Sequence, residues 1–111
     1  MNESILISIK KLLGIAGDYT VFDADIIMHI NSVFMILNQL GVGPDEYYRI
    51  EDDLNTWNEF ITAEDHLDAV KSYIHLKVKL LFDPPLNSAV IEANEQIIKE
   101  LEWRLTVQAE K

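Results

Sequence analysis

Three histidines (His29, His66 and His75) and two tight groups of carboxylates (Asp23-x-Asp25 and Glu51-Asp52-Asp53) come nearest in this sequence to chemistry-bearing constellations. Histidines sharing a helix face would move protons or ligate a metal, but these three are not spaced to do so. His29 falls at the edge of an apolar stripe and His75 within a basic one, so structural roles are expected of both. The carboxylate groups could hold a divalent cation weakly. Neither follows the D-x-[DN]-x-[DN]-G pattern of a calcium loop, and solvated charge or a helix start is the expected role. With no cysteine there is no thiol nucleophile, thiolate metal site or disulfide. No phosphate-cradling glycine motif, G-x-S-x-G or H-E-x-x-H occurs. The chain is therefore expected to be no enzyme and to carry neither cofactor nor metal.

Chemistry being sparse, charge is the next guide. The 111 residues hold 9 Lys+Arg against 19 Asp+Glu, a net charge of −10. Such an excess argues against coating nucleic acid, which needs clustered cations to displace counterions from phosphates. At 49% apolar and 25% charged the chain has enough hydrophobic surface to fold. Residues 1–40 carry −2, 41–68 carry −8, 69–86 carry +2 and 87–111 carry −2, so most of the acidity is central. The N-terminus has Lys10 and Lys11 after its apolar residues and does not read as a secretory signal. The most apolar stretch, Ile26 to Leu40, is too short and too polar to cross a bilayer, and no membrane association is expected.

Apolar spacing and chain breakers predict an all-α fold over residues 1–111. It is a small bundle of four main helices at about 3–13, 23–40, 62–82 and 86–107. Gly14 supplies a left-handed stop to the first helix. Asp23 is the expected N-cap of the second, which ends at Gly41-Val42-Gly43-Pro44. Thr62, with Asp65 in capping-box register, opens the third. Pro84 and Pro85 separate the third helix from a long C-terminal one. Between the second and third helices lies an acidic loop containing Tyr47, Tyr48, Trp57 and Phe60, with room for a helical turn near Asn55 to Phe60.

The faces of these helices point to partners. In the second, Ile26, Ile27, Ile30, Val33, Phe34, Leu37 and Leu40 form the core stripe, while Met28 and Met35 lie nearly opposite. Methionine packs adaptably, so that side suits either another element of the chain or another subunit. In the third, Lys71, His75 and Lys79 line up at i, i+4 and i+8 as a solvated basic stripe or a contact for an acidic surface. Lys77 falls in the apolar arc and must snorkel or pair. The fourth places Val90, Ile97, Ile98, Leu101 and Leu105 on one side. Its last turns, with Trp103 and Arg104, are expected either to project as an interface or to close the bundle end. Glu51, Asp52 and Asp53 form the candidate acidic surface.

Three runs carry a resemblance. They are Asp68-Ala-Val-Lys-Ser-Tyr-Ile-His-Leu-Lys-Val-Lys-Leu-Leu-Phe-Asp-Pro-Pro85, Glu100-Leu-Glu-Trp-Arg-Leu105, and His29-Ile-Asn-Ser-Val-Phe-Met-Ile-Leu-Asn-Gln-Leu-Gly-Val-Gly43. In helix order, helix length and the Phe-Asp-Pro-Pro break, the chain resembles small head-tail connector (adaptor) proteins of tailed bacteriophages and prophages. The resemblance implies an all-α virion subunit that forms a homo-oligomeric ring. Such a ring joins the portal protein to the next neck or tail component, around a passage through which DNA slides without specific binding. It implies no catalytic or binding residue. A different class also fits the acidity, a small phage-encoded regulator that imitates DNA to bind a host protein.

Overall fold

A computed structural model describes residues 2–62 and 64–110, with every side chain in that span except those of Glu64 and Asp65. Among the described residues five helices follow one another: α1 (Ile5–Leu12), α2 (Asp23–Gln39), the single turn α3 (Trp57–Phe60), α4 (Glu64–Phe82) and α5 (Ser88–Ala109). The fold is all-α. Among the described residues, extended pairing is confined to one isolated bridge between Ser4 and Thr56. The pairing expected of Thr62 with Asp65 lies outside the described residues.

Ser4 starts α1, its Oγ accepting from the Ile7 amide at 3.2 Å, which satisfies one of the otherwise orphaned N–H groups of the first turn. Ile5, Leu6 and Ile9 are buried against α2 and α4. Gly14, at φ 82°, ends the helix in the left-handed conformation expected of it.

Asp23 does not cap α2. Phe22 occupies the cap position with no side-chain hydrogen bond, and Asp23 is the first helical residue. The Asp23 carboxylate is instead drawn to the ammonium of Lys10, 2.7 Å away. Lys10 is completely buried and donates to the carbonyls of Gly17 at 3.1 Å and Tyr19 at 2.7 Å. A buried cation without partners would be severely unfavourable, which explains why three oxygens converge on it. They fix the path of the loop between α1 and α2.

The core stripe of α2 is as expected: Ile26, Ile30, Val33, Phe34 and Leu37 are buried, with Ile27 and Leu40 packed beside them. The acidic loop contributes to the same core through Ile50, Trp57 and Phe60. Asn31 holds it to α2, donating to the Ile50 carbonyl at 2.9 Å and accepting from the Ile50 amide at 2.8 Å. Thr56 and Glu59 form a capping box around α3. Gly43, at φ 91°, lies so close to Phe60 that a Cβ there would collide with the ring.

α4 is the central helix, packing along α2 on one side and α5 on the other, with no comparable contact between α2 and α5. The molecule measures 38 × 35 × 20 Å, and its short dimension is about two helix diameters. Asn87 caps α5, its Oδ1 accepting from the Ala89 amide at 2.8 Å. The tyrosine hydroxyl of Tyr73 on α4 donates to Glu102 Oε2 on α5 at 2.6 Å. Burial, then the bond to Glu102, pushes the Tyr73 phenol far above its ordinary pKa.

One expectation for α5 is corrected. Only Ile98 and Leu105 are buried, whereas Val90 and Ile97 are exposed. Both lie on the same side of the Ile98–Leu105 line, about 70–90° round the helix from it at about 100° per residue, and α4 covers only that line. Of the two roles open to the last turns, closing the bundle end is the one the structure shows, since Leu105 is buried and Ala109 rests against Gly41.

Candidate functional site

The surface features that a protein partner would meet follow from this layering. Met28 and Met35 stand 57% and 46% exposed on the side of α2 turned away from the core. They flank a shallow groove that Ala24 and Ile27 floor and Arg49 borders. Arg49, carried by the acidic loop, is exposed and has no carboxylate within 4 Å among the described residues. It is the single charged side chain lining the groove.

The basic stripe of α4 is half-buried rather than fully solvated. Lys71 Nζ lies 5.5 Å above the Trp57 ring and 3.8 Å from Glu3, and Lys79 pairs with Asp83 at 3.5 Å. Both positive charges thus have partners within the chain. Lys77 extends along the apolar arc to within 6.0 Å of the Tyr73 ring centre.

His75, between the two lysines, keeps its Nε2 buried without a hydrogen-bond partner. Burial, then the neighbouring Lys79 charge, lowers its pKa, while a contact with the Leu12 backbone acts in the opposite direction. The unfolded chain therefore binds a proton here that the folded chain resists, so stability from this group is present above the ordinary histidine value of about 6.5 and is lost as pH falls below it. Urea unfolding of the natural chain and of His75→Asn at pH values on either side should show a smaller acid-side loss in the variant. Equal losses would remove His75 as their source.

A third surface is the end of the molecule where α1 leads into α2 and α4 turns into α5. Tyr19, Val21, Phe22, Leu81 and Leu86 are all exposed there, Leu86 completely. Phe22 is half-anchored by an edge-on contact with Phe82, ring centres 5.4 Å apart. Monomeric proteins seldom leave so many large apolar groups together in water. At the far end of α5, Trp103 is 64% exposed and Arg104 lies 5.9 Å over its ring while paired with Glu100 at 2.8 Å. Together with His66, Ala69, Leu105 and Val107, Trp103 lines an open depression of about 320 Å³.

The acidic residues Glu51, Asp52 and Asp53 sit at an exposed turn, where Asn55 Oδ1 accepts from the Glu51 amide at 2.8 Å and Asp52 Oδ1 from the Leu54 amide at 2.8 Å. Nearby Glu59 accepts from Asn55 and Tyr48, bonds that lower its pKa. Among the described residues no three His, Cys, Asp or Glu are placed to share a metal ion, and no helix is long and apolar enough to cross a membrane.

The sequence profile of the family described as phage connector protein matches residues 5–111, nearly the whole chain and every helix just described. The chain belongs to that family. Among curated proteins and solved structures, none compared with it is a match. The role of this connector is structural, in the virion. Surfaces for other proteins are accordingly the features to look for.

Of the residues singled out from the sequence, Met28 and Met35 share one groove, and Trp103 and Arg104 lie at the opposite flank of α4. Lys71 lies over Trp57 of the loop and near Glu3, His75 meets the Leu12 backbone, and Lys79 pairs with Asp83 just beyond its own helix. The apolar end was missed. Its signal was present in Phe22, Leu81 and Leu86 crowding the predicted helix ends, where a buried side chain has few neighbours to cover it.

Proposed function

We propose that this connector forms a ring beneath the portal vertex and joins the portal protein to the next neck or tail component, around the passage for DNA. The observation that carries the proposal is membership of the phage connector family over residues 5–111. Supporting it, the apolar end built from Tyr19, Val21, Phe22, Leu81 and Leu86 is a surface suited to a stable protein partner. The acidic turn at residues 51–53 belongs to a loop bonded to the start of α1, where the Ile5 amide donates to the Asn55 carbonyl at 3.0 Å. The apolar end lies beyond the other terminus of α1.

Contacts between subunits fall in this reading to the exposed Met28, Met35 and Trp103 rather than to Lys71, Lys79 and Arg104, whose charges are already partnered within the chain. Negative charge facing the passage would repel phosphate and let DNA slide. A ring needs two different patches on each subunit, since a self-complementary contact closes as a dimer.

A phage with this gene disrupted is expected to package DNA into heads that never acquire tails. Complementation with Leu86→Glu, at the fully exposed position, should fail while the purified variant remains helical and melts normally. Tailed, infectious particles from the disrupted phage would overturn the connector reading. A host protein recovered on the acidic loop in that case would favour the DNA-imitating regulator instead.

A further inference from the structure

Two surfaces on this chain match each other. The first is the groove on α2, lined by Ala24, Ile27, Met28 and Met35 together with the uncharged polar Asn31 and Ser32, with Arg49 as its single charge. The second is the outward side of the first half of α5, where Ala89, Ala93, Gln96 and Ile97 surround Glu92, again a single charge and of opposite sign. Neither surface is covered. No residue from Ser88 to Ile97 is buried, although this is almost half of α5. Glu92, like Arg49, has no oppositely charged partner within 4 Å among the described residues.

We propose that the first half of α5 seats in the α2 groove of a second copy of this chain, with Glu92 paired to the neighbour's Arg49. The proposal rests on the ring reading and names the contact that builds the ring.

Three observations support this occupant. The charges are complementary, one on each surface, and would fix the register of an otherwise uncharged contact. The dimensions agree: Met28 to Met35 spans about 10 Å of helix and Ala89 to Ile97 about 12 Å. The two surfaces also lie on opposite flanks of the molecule, because α4 stands between α2 and α5. A chain cannot satisfy its own groove with its own α5, and a pair of chains cannot satisfy both surfaces in one self-complementary contact. Head-to-tail repetition is the geometry that remains, and it closes as a ring when the rotation per subunit allows. Methionines suit the receiving side because their flexible side chains adapt to an incoming helix.

The absence of native cysteine makes the test direct. Met28→Cys and Ala93→Cys placed in one full-length chain should give, under mild oxidation of assembled particles or of the purified protein, a ladder of disulfide-linked multimers. Each single variant alone should give none, and a mixture of the two singles should give a linked pair. Arg49→Glu or Glu92→Arg should each lower the cross-linked yield by about tenfold, and the two exchanges together should restore it. Circular dichroism checks that every variant is folded.

Only monomers from the double-cysteine chain in particles that contain it would overturn the proposed contact while leaving the connector reading intact. Cross-linked dimers from Met28→Cys alone would also overturn it, since they mean a self-complementary interface. Absence of the chain from purified particles would overturn the connector reading, and the ladder from the purified protein would still decide the contact.

Discussion

Replacing Trp57 with alanine is expected to cost about 3–5 kcal/mol of folding stability, the range for deleting a buried aromatic ring from a packed core. Trp57 is the largest fully buried side chain. Its Nε1 donates to Ser8 Oγ on α1 at 3.1 Å, and its amide donates to the Glu3 carbonyl at 3.2 Å. The ring also lies beneath Lys71 of α4. It thus joins the acidic loop to two helices at once, and its loss leaves a cavity and removes the N–H that the Ser8 hydroxyl accepts from, although that hydroxyl still donates to the Ser4 carbonyl at 2.6 Å. A domain of this size has about 5–15 kcal/mol in total, so the variant should retain a fraction of the natural stability and melt more than about 10 °C lower.

Trp57→Phe keeps most of the packing and gives up the bond to Ser8, a change of about 1 kcal/mol. Fluorescence provides a second readout. Trp57 is buried and Trp103 mostly exposed, so Trp57→Ala should remove the short-wavelength emission and leave that of a solvated indole. A melting temperature within a few degrees of the natural protein would contradict the anchoring role of Trp57.

The contrast between Trp57 and its surroundings shows what was legible in the sequence. Periodicity located the four long helices, because apolar residues at i, i+3, i+4 and i+7 must share a face whatever covers it. The glycines at 14, 41 and 43 marked breaks that the backbone confirms with positive φ at each. Inside residues 45–61, however, six acids obscure three residues that enter the core, Ile50, Trp57 and Phe60. Such a segment shows no sustained period, and its burial depends on Asn31, about twenty positions earlier in the chain.

The helical turn expected near Asn55 to Phe60 is present as α3, and it starts at a Thr56–Glu59 capping box that was not singled out from the sequence. The methionine side of α2 was also readable as a face opposite the core, although whether the chain itself covers it was not; the structure leaves both methionines exposed. Which part of another chain covers it was not, because the match with α5 is a relation between two elements that α4 holds apart.

Substituting Lys10 by alanine should be about as damaging as losing Trp57, for an electrostatic reason that helical periodicity could not reveal. A lysine beside Ile9 and Leu13 reads as a surface charge, yet its ammonium is fully buried among the Gly17 and Tyr19 carbonyls and the Asp23 carboxylate. Removing one member of a buried pair typically costs about 3–5 kcal/mol, because the remaining charge is left without compensation. Here the Asp23 side chain is a quarter exposed, which lets water offset part of that penalty, while the two carbonyls lose their donor outright.

Lys10→Met, which preserves the stem, should therefore recover the packing and little else. Adding Asp23→Asn to it should restore part of the loss by removing the uncompensated charge. Chemical denaturation of the three variants measures these differences, and an additive result for Lys10→Met with Asp23→Asn would show that the pair is not coupled. The same cation positions the loop that presents Tyr19, Val21 and Phe22 at the apolar end. Amide exchange across residues 14–22 should accordingly rise in Lys10→Met more than in α4. If that end receives the neighbouring neck protein, tail joining should fail in this variant at temperatures where its helices are still folded.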